Sequence, residues 1–135
     1  MTDWIISKFG GSSVANAKQI EKVRKIVQQE PRRRVVVVSA PGRSESNEYK
    51  VTDHLINIAT GGAHFHQQRI ELPVSECRNA VLQKFADIAD DLKVDAGNIL
   101  EDLARDLDTE LSGDKRTAFL ASRGEHYNAL VNAAS

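Results

Sequence analysis

Four consecutive valines at positions 35–38 constrain the fold of this chain more than any other feature. A short run of β-branched residues without a polar partner is typical of a strand that is buried on both faces of a parallel sheet. An apolar run at 4–6 predicts another strand, and an amphipathic pattern at 16–29 predicts a helix between the two. Strand, helix and strand in this order predict a βαβ unit and therefore an α/β fold.

The crossover of a βαβ unit brings the carboxyl ends of both strands to the same edge of the sheet, which is where α/β proteins bind ligands. The stretch at 39–42, which includes Ser39, leaves the second strand at that edge. We therefore expect it to lie beside Gly10 and Gly11, which follow the first strand, although the two stretches are far apart in sequence.

The stretch from Lys8 to Ser13 joins the first strand to the first helix. Unpaired N–H groups at the start of a helix attract anions, and a glycine pair removes Cβ atoms and permits the positive φ angles of an anion-binding nest. Lys8 adds a mobile positive charge, and Ser12 adds a hydroxyl. The pattern matches neither the P-loop nor the dinucleotide-binding motif, so phosphate binding and a simple tight turn both remain open.

Composition limits the classes to which the chain can belong. With 135 residues, 41% hydrophobic and 27% charged, it can bury one modest core, so we expect one domain or part of one. A net charge of −1 favours neither nucleic acid nor an anionic membrane. The single cysteine, Cys77, excludes an internal disulfide and suits a packing position better than that of a nucleophile. No signal peptide or bilayer-spanning run is visible, so we expect a cytoplasmic protein.

A polar stretch at 43–50 predicts an exposed loop at the ligand edge, where loops often act as lids. Thr52 then suits the cap of a helix at 53–59, which Gly61 and Gly62 end. Its hydroxyl could equally point at a substrate, and the two roles are compatible.

The second half of the chain predicts helices without strands. Two apolar stripes predict two helices, which Gly97 and Gly113 are expected to end. The first stripe is Val81, Leu82, Phe85, Ala89 and Leu92, and the second is Leu100, Leu103, Leu107 and Leu111. A last helix from about Lys115 directs Phe119, Leu120, Leu130 and Val131 to the core. His64 and His66 lack further ligands at a metal-binding spacing, so we predict a surface loop there and no metal site.

Gly124 interrupts this last helical pattern at a cost of about 1 kcal/mol relative to alanine, which predicts that a neighbour approaches the backbone closely. Glu125 beside it is a candidate for holding a positively charged group. Two predicted strands are too few for a doubly covered parallel sheet, so we expect the chain to be the front part of a longer domain.

Four motifs together resemble, in order and spacing, the N-terminal half of the catalytic domain of aspartate kinase (aspartokinase). They are Lys8-Phe9-Gly10-Gly11-Ser12-Ser13-Val14, the Val-Val-Val-Val-Ser-Ala run at 35–40, Val51-Thr52-Asp53-His54-Leu55-Ile56, and Gly124-Glu125 followed by Asn128-Ala129-Leu130. The resemblance implies the N-terminal portion of an amino-acid kinase fold, a three-layer α/β/α sandwich on a mostly parallel sheet. It also implies that residues 1–135 lack the second half of the catalytic domain and the regulatory ACT domains.

The resemblance implies ATP and Mg²⁺ as cofactors, L-aspartate as substrate and 4-phospho-L-aspartate as product, on the way to lysine, threonine and methionine. It places the ATP phosphates on Lys8, which is also catalytic, and on Gly10, Gly11 and Ser12, and it places L-aspartate on Ser39, Thr52 and Glu125. The attacking carboxylate is already ionised at neutral pH, so no general base is required. We expect a homo-oligomeric parent with no nucleic-acid or membrane partner, and an inactive isolated segment.

Two features depart from the family pattern: position 12 is serine where threonine is usual, and Arg123 replaces a residue that is more often apolar or aromatic. Two other functions stay open. One is a sister kinase acting on acetylglutamate, glutamate, carbamate or UMP, against which Thr52 and the Gly124-Glu125 pair argue. The other is a non-catalytic module that folds only with a partner or as a swapped dimer.

Overall fold

A computed structural model of the chain describes residues 3–45, 48–62 and 70–135. Two strands form a parallel sheet, and a short 3₁₀ helix, Gly11–Val14, follows the first of them. The strands are β1 (Ile5–Phe9) and β2 (Arg33–Val38), and the helices are α1 (Ala17–Gln28), α2 (Val51–Thr60), α3 (Val74–Leu92), α4 (Gly97–Leu107), α5 (Gly113–Ala121) and α6 (Arg123–Ala134). The predicted α/β class is therefore confirmed.

The predicted βαβ unit is confirmed. β1 and β2 are parallel neighbours, with Lys8 opposite Val37. Helix α1 connects them and begins where the Asn16 side chain accepts a hydrogen bond from the N–H of Gln19 at 3.0 Å, a standard N-cap. This unit brings the carboxyl ends of both strands to one edge of the molecule.

Burial of the valine run is the first correction. Val35, Val36 and Val37 are 37%, 40% and 45% exposed, so β2 is not buried on both faces as predicted. In the described parts of the chain the sheet has two strands, and the main helix contacts of β2 are with α1 and α6. Val38 alone of the four packs against the core.

Helix α2 is the most buried element, and its start corrects a second prediction. It begins at Val51 with Lys50 as the N-cap residue, so Thr52 lies inside the first turn and does not cap the helix. The extended backbone of Lys50, with φ −68° and ψ 146°, already turns the chain into the helix without a side-chain hydrogen bond. The end is as predicted, because Gly61 has φ 65° and terminates the last turn.

The predicted glycine stops in the second half are wrong. Gly97 and Gly113 are the first residues of α4 and α5, and α3 ends instead where Lys93 adopts a left-handed conformation with φ 59°. A hydrogen bond from the N–H of Val94 to the carbonyl oxygen of Ala89 closes that end. Leu111 falls in the connection before α5 and is exposed.

The predicted last helix is two helices, α5 and α6, which meet at Ser122. The Ser122 hydroxyl donates to the carbonyl oxygen of Phe119 at 2.7 Å at this junction. Leu120 and Val131 are fully buried as predicted, whereas Leu130 is 40% exposed.

The core lies between α2 and the helices that surround it. Phe85, Leu103 and Leu120 fill its centre with no exposed surface. Cys77 is equally buried and accepts a hydrogen bond from the Asn57 side chain at 3.1 Å, and burial raises the pKa of its thiol. It is a packing residue, as predicted.

Two remaining predictions concern membrane-spanning segments and a pair of histidines. Among the described residues, none of the helices combines the length and the apolar character that crossing a membrane demands. His64 and His66 lie outside the described residues.

Candidate active site

Two backbone turns cross at the carboxyl ends of β1 and β2. The Ser39 N–H donates to the carbonyl oxygen of Phe9 at 3.1 Å, and the Gly42 N–H donates to the carbonyl oxygen of Gly11 at 2.9 Å. A Cβ on Gly42 would lie 2.7 Å from the carbonyl carbon of Gly11, so only glycine permits this approach. The prediction that 39–42 lies beside the first turn is confirmed.

The glycine pair at 10 and 11 does not form the predicted positive-φ nest. Gly10 is extended, with φ −73° and ψ 173°, and the positive φ angles of the described residues all lie elsewhere. A Cβ on Gly11 would lie 3.2 Å from the carbonyl oxygen of Ala40, whereas one on Gly10 would have nothing within 4 Å. A side chain at position 11 would therefore crowd the crossing turn, whereas Gly10 leaves open space.

A cavity of about 530 Å³ opens at this crossing. Five of the seven predicted site residues line it: Gly11, Ser12, Ser39, Thr52 and Glu125. Lys8 and Gly10 are not part of the lining. Lys8 is exposed and, by strand alternation, lies on the face of β1 that also carries the exposed Ile6.

The first turn of α2 gives one wall of the cavity a positive character. The first N–H groups of a helix have no intrahelical acceptor, and no side chain caps those of α2. They add to the positive end of the helix dipole. Arg43 and Lys50 line the same cavity and contribute positive side chains. This wall suits the carboxylate or phosphate groups of a ligand.

Sequence reasoning missed Asp53, which also lines the cavity. Its side chain is only 3% exposed, and neither carboxylate oxygen has a hydrogen-bond donor among the described residues. An acid next to Thr52, at a predicted helix start on the ligand edge, was the available signal. Its burial depends on how α2 packs, which the sequence pattern does not give.

Gly124 seats α6 against the turn that follows β2. A Cβ on Gly124 would lie 2.6 Å from the Cβ of Ala40 and 3.4 Å from side-chain carbons of Val51 and Leu55. This confirms the predicted close approach. It also places Glu125, which is exposed, at the rim of the cavity.

Arg123 does not line the cavity. Its guanidinium lies 4.4 Å from the ring centroid of Phe119, and its Nη1 is 3.5 Å from Oδ2 of Asp106. The Tyr127 hydroxyl donates to the same Asp106 oxygen, and burial raises the pKa of Tyr127 far above its usual value. Arg123 thus anchors the start of α6 to α4.

Hydrogen bonds at Ser44 and Glu48 hold the described part of the predicted lid loop at 43–50. The Ser44 hydroxyl donates to the carbonyl oxygen of Ala15 at 3.1 Å, and Nζ of Lys84 donates to Oε1 of Glu48 at 2.8 Å. Burial opposes ionisation of Glu48, but the hydrogen bonds from Lys84 and from the Ser44 N–H outweigh it and lower the pKa of the carboxyl. This part of the loop is therefore fastened to the residues just before α1 and to α3.

Comparison with known proteins supports the same reading of the fold. Aspartokinase 3 of Bacillus subtilis (strain 168) is 38% identical over an alignment of 139 residues, which covers 96% of this chain and 28% of the relative. The crystal structure of Clostridium acetobutylicum aspartate kinase superposes with a TM-score of 0.78 at 27% identity and covers 98% of this chain and 29% of that one. The structure of E. coli aspartokinase III in complex with aspartate and ADP shares the fold, with a TM-score of 0.70 at 21% identity over 98% of this chain and 28% of that one.

The chain spans less than a third of the length of these relatives. The model of the amino acid kinase family matches residues 3–135. Because this match extends over almost every residue, the chain belongs to the amino acid kinase family.

Proposed function

We propose that the full-length protein, meaning the natural chain that contains this segment, transfers the γ-phosphoryl group of ATP to the side-chain carboxylate of L-aspartate. The product is 4-phospho-L-aspartate, a precursor of lysine, threonine and methionine. The name of the Bacillus subtilis relative and the aspartate and ADP held by E. coli aspartokinase III support this proposal. Residues 1–135 are then the N-terminal part of the catalytic domain.

The observation that carries the proposal is the shared cavity. It joins the turn with Gly11 and Ser12 to Thr52 and Glu125, which lie on two different helices. Direct phosphoryl transfer needs donor and acceptor in one enclosure, held in line. A cavity that served a nucleotide alone would not need an acidic residue at its rim.

The cavity suits an amino acid with a second carboxylate. The uncapped N–H groups of α2, with Arg43 and the hydroxyls of Ser39 and Thr52, offer donors to carboxylate oxygens. Glu125 accepts hydrogen bonds from the ammonium group, and this favours an amino acid over a plain dicarboxylate. Together these groups fix the orientation of aspartate.

In the proposed step, a side-chain oxygen of aspartate attacks the γ-phosphorus while the bond from that phosphorus to the β–γ bridging oxygen breaks and ADP leaves. The nucleophile is ionised at neutral pH, so no residue acts as a base. Backbone N–H groups of the first turn, the Ser12 hydroxyl and the mobile Lys8 ammonium neutralise charge on the phosphates. This role requires the exposed Lys8 side chain to extend toward the end of β1.

Mg²⁺ fits this site as an ion carried on the phosphates of ATP, where it would neutralise phosphate charge. Asp53 and Glu125 are the carboxylates in the lining, and the described ranges contain no group of three acidic, histidine or cysteine ligands. The residues that the structure describes therefore offer no separate cage for the metal.

A hydroxylamine assay on the purified full-length protein tests the proposal, because hydroxylamine traps an acyl phosphate as the hydroxamate. We expect hydroxamate that depends on both ATP and L-aspartate. Parallel reactions with acetylglutamate, glutamate, carbamate and UMP test the sister kinases of the fold. Turnover with one of these and none with aspartate would reassign the substrate, and no turnover with any would favour a non-catalytic module.

We also propose that the full-length protein is a cytoplasmic homo-oligomer and that the isolated segment does not catalyse the reaction. Light scattering coupled to size exclusion measures the first property. The hydroxamate assay on residues 1–135 measures the second, and turnover by that segment alone would contradict the proposal.

A further inference from the structure

The carboxylate of Asp53 has no role in the function described so far. It is 3% exposed, it lines the cavity of about 530 Å³, and neither of its oxygens accepts a hydrogen bond from the described residues. Burying a carboxylate without a donor is unfavourable, and such groups are rarely left without a reason.

A purely local role does not account for this residue. An acid in the first turn of a helix interacts favourably with the dipole, and it usually accepts a backbone N–H there. Asp53 accepts none. The neighbouring His54 does not donate to it either, since neither Asp53 oxygen has a hydrogen-bond partner among the described residues. Because Asp53 belongs to the cavity lining, a group that enters the cavity is the available donor for its carboxylate, and a small shift on binding must expose the two oxygens, which are covered without a ligand.

The position of Glu125 indicates which chemical group of a ligand Asp53 would bind. Both carboxylates line the same cavity, and both accept hydrogen bonds only. An ammonium group has three N–H donors, of which one carboxylate engages at most two. A second buried acceptor completes the set, and its effect is stronger where water is excluded.

We propose that Asp53 binds the α-ammonium group of the amino-acid substrate together with Glu125, and so helps to select an amino acid over a dicarboxylate without an amino group. This inference rests on the proposed function. A metal ion is the less suitable occupant, because the described parts of the chain hold no group of three ligands.

The test compares Asp53→Asn with Asp114→Asn in the full-length protein. Asp114 is the matched control, because it is an aspartate in the first turn of α5 but is exposed and outside the cavity. For Asp53→Asn we expect the KM for aspartate to rise about tenfold or more, with kcat within about threefold and the KM for ATP unchanged. Asp114→Asn should leave all three constants unchanged.

Succinate separates ammonium binding from a general change in the cavity, because it lacks the amino group. Its Ki as a competitor of aspartate should differ by less than about twofold between wild type and Asp53→Asn. Equal losses for aspartate and succinate would overturn the inference, and so would an unchanged KM for aspartate. A structural role would instead lower the unfolding temperature and leave KM unaltered.

Two measurements keep the inference testable in other circumstances. If Asp53→Asn does not fold, Glu125→Gln should still prefer aspartate to succinate by about tenfold, because one carboxylate remains. Complete loss of that preference would overturn the role of Asp53.

If the wild type does not phosphorylate aspartate, the proposed function fails by itself. Thermal shifts with a panel of L-amino acids then decide: a shift lost in Asp53→Asn supports the inference, and identical shifts refute it.

Discussion

The side-chain amide of Asn128 donates a hydrogen bond to the carbonyl oxygen of Ser39 at 2.8 Å. Asn128 has no exposed surface, and its Oδ1 accepts from the side chain of Asn132 at 3.0 Å. This contact ties α6 to the turn that leaves β2. The position of Ser39 and the position of Glu125 are therefore mechanically linked.

Asn128→Ala should destabilise the protein, because it leaves the Ser39 carbonyl without its donor and opens a small void. We expect a loss of about 1–3 kcal/mol in the free energy of unfolding, measured by denaturant titration of the full-length protein. Asn79→Ala, at an exposed position on α3, is the control and should stay within about 0.5 kcal/mol of wild type. Equal stability of the two variants would mean that the contact does not hold α6.

Alanine substitution should affect stability differently at Gly42 and at Gly10, which lie near the crossing of the two turns. A methyl group on Gly42 meets the Gly11 backbone at 2.7 Å, so Gly42→Ala should lower stability by about 1–3 kcal/mol. Gly10→Ala meets nothing within 4 Å and keeps a permitted φ, so its unfolding midpoint should match wild type.

The same pair of variants tests nucleotide binding. If a phosphate approaches Gly10, the added methyl raises the KM for ATP in Gly10→Ala without a change in stability. Unchanged ATP kinetics in this variant would remove Gly10 from the predicted binding residues.

Gly124→Ala tests whether the close packing of α6 against Ala40 positions Glu125 in the site. The new methyl would lie 2.6 Å from the Cβ of Ala40, so α6 must shift, and we expect a stability loss of about 1–3 kcal/mol. Because the shift carries Glu125 with it, the KM for aspartate should rise more than the KM for ATP. Gly97→Ala is the control, since its methyl meets only Oδ1 of Asp95 at an ordinary 3.6 Å. Parallel rises in both KM values would argue that the cavity collapses as a whole.

The sequence predicted those features of the structure that short stretches of the chain specify by themselves. The βαβ unit and the meeting of the Gly11 and Gly42 turns follow from periodicity and from crossover geometry, which short stretches specify. Gly124 was also predicted, since a glycine inside a helix is unfavourable unless something lies against it. These features position most of the site.

The wrong predictions concern features set by neighbours. The valine run predicts an apolar strand but does not specify what covers it, and Val37 is 45% exposed. Thr52 is a good capping residue, yet the backbone of Lys50 starts the helix two residues earlier. The burial of Asp53 arises from the packing of α2 against other helices, which no local pattern encodes.

Lys8→Ala should reduce turnover with little effect on folding. The side chain is exposed on β1, so its removal loses almost no packing. If the ammonium neutralises phosphoryl charge, kcat should fall by about a hundredfold or more, measured by the hydroxamate assay on the full-length protein. Lys18→Ala, an exposed lysine on α1, is the control and should retain full activity. Wild-type turnover in Lys8→Ala would remove this residue from the proposed mechanism.

His54 should make stability depend on pH in the acidic range. Burial lowers the pKa of its imidazole below the ordinary 6.5, although Asp53 and Glu48 favour the protonated form. The unfolded chain therefore takes up the proton at a higher pH than the folded chain does. The contribution of His54 to the free energy of unfolding should be present in full above pH 6.5. It should decline as the pH falls below 6.5 toward the lower pKa of the folded state. We expect His54→Gln to flatten the pH dependence of the unfolding temperature between about pH 7.5 and 5, while His126→Gln, at an exposed position on α6, keeps it. An equal slope in both variants would show that other groups control the acid sensitivity.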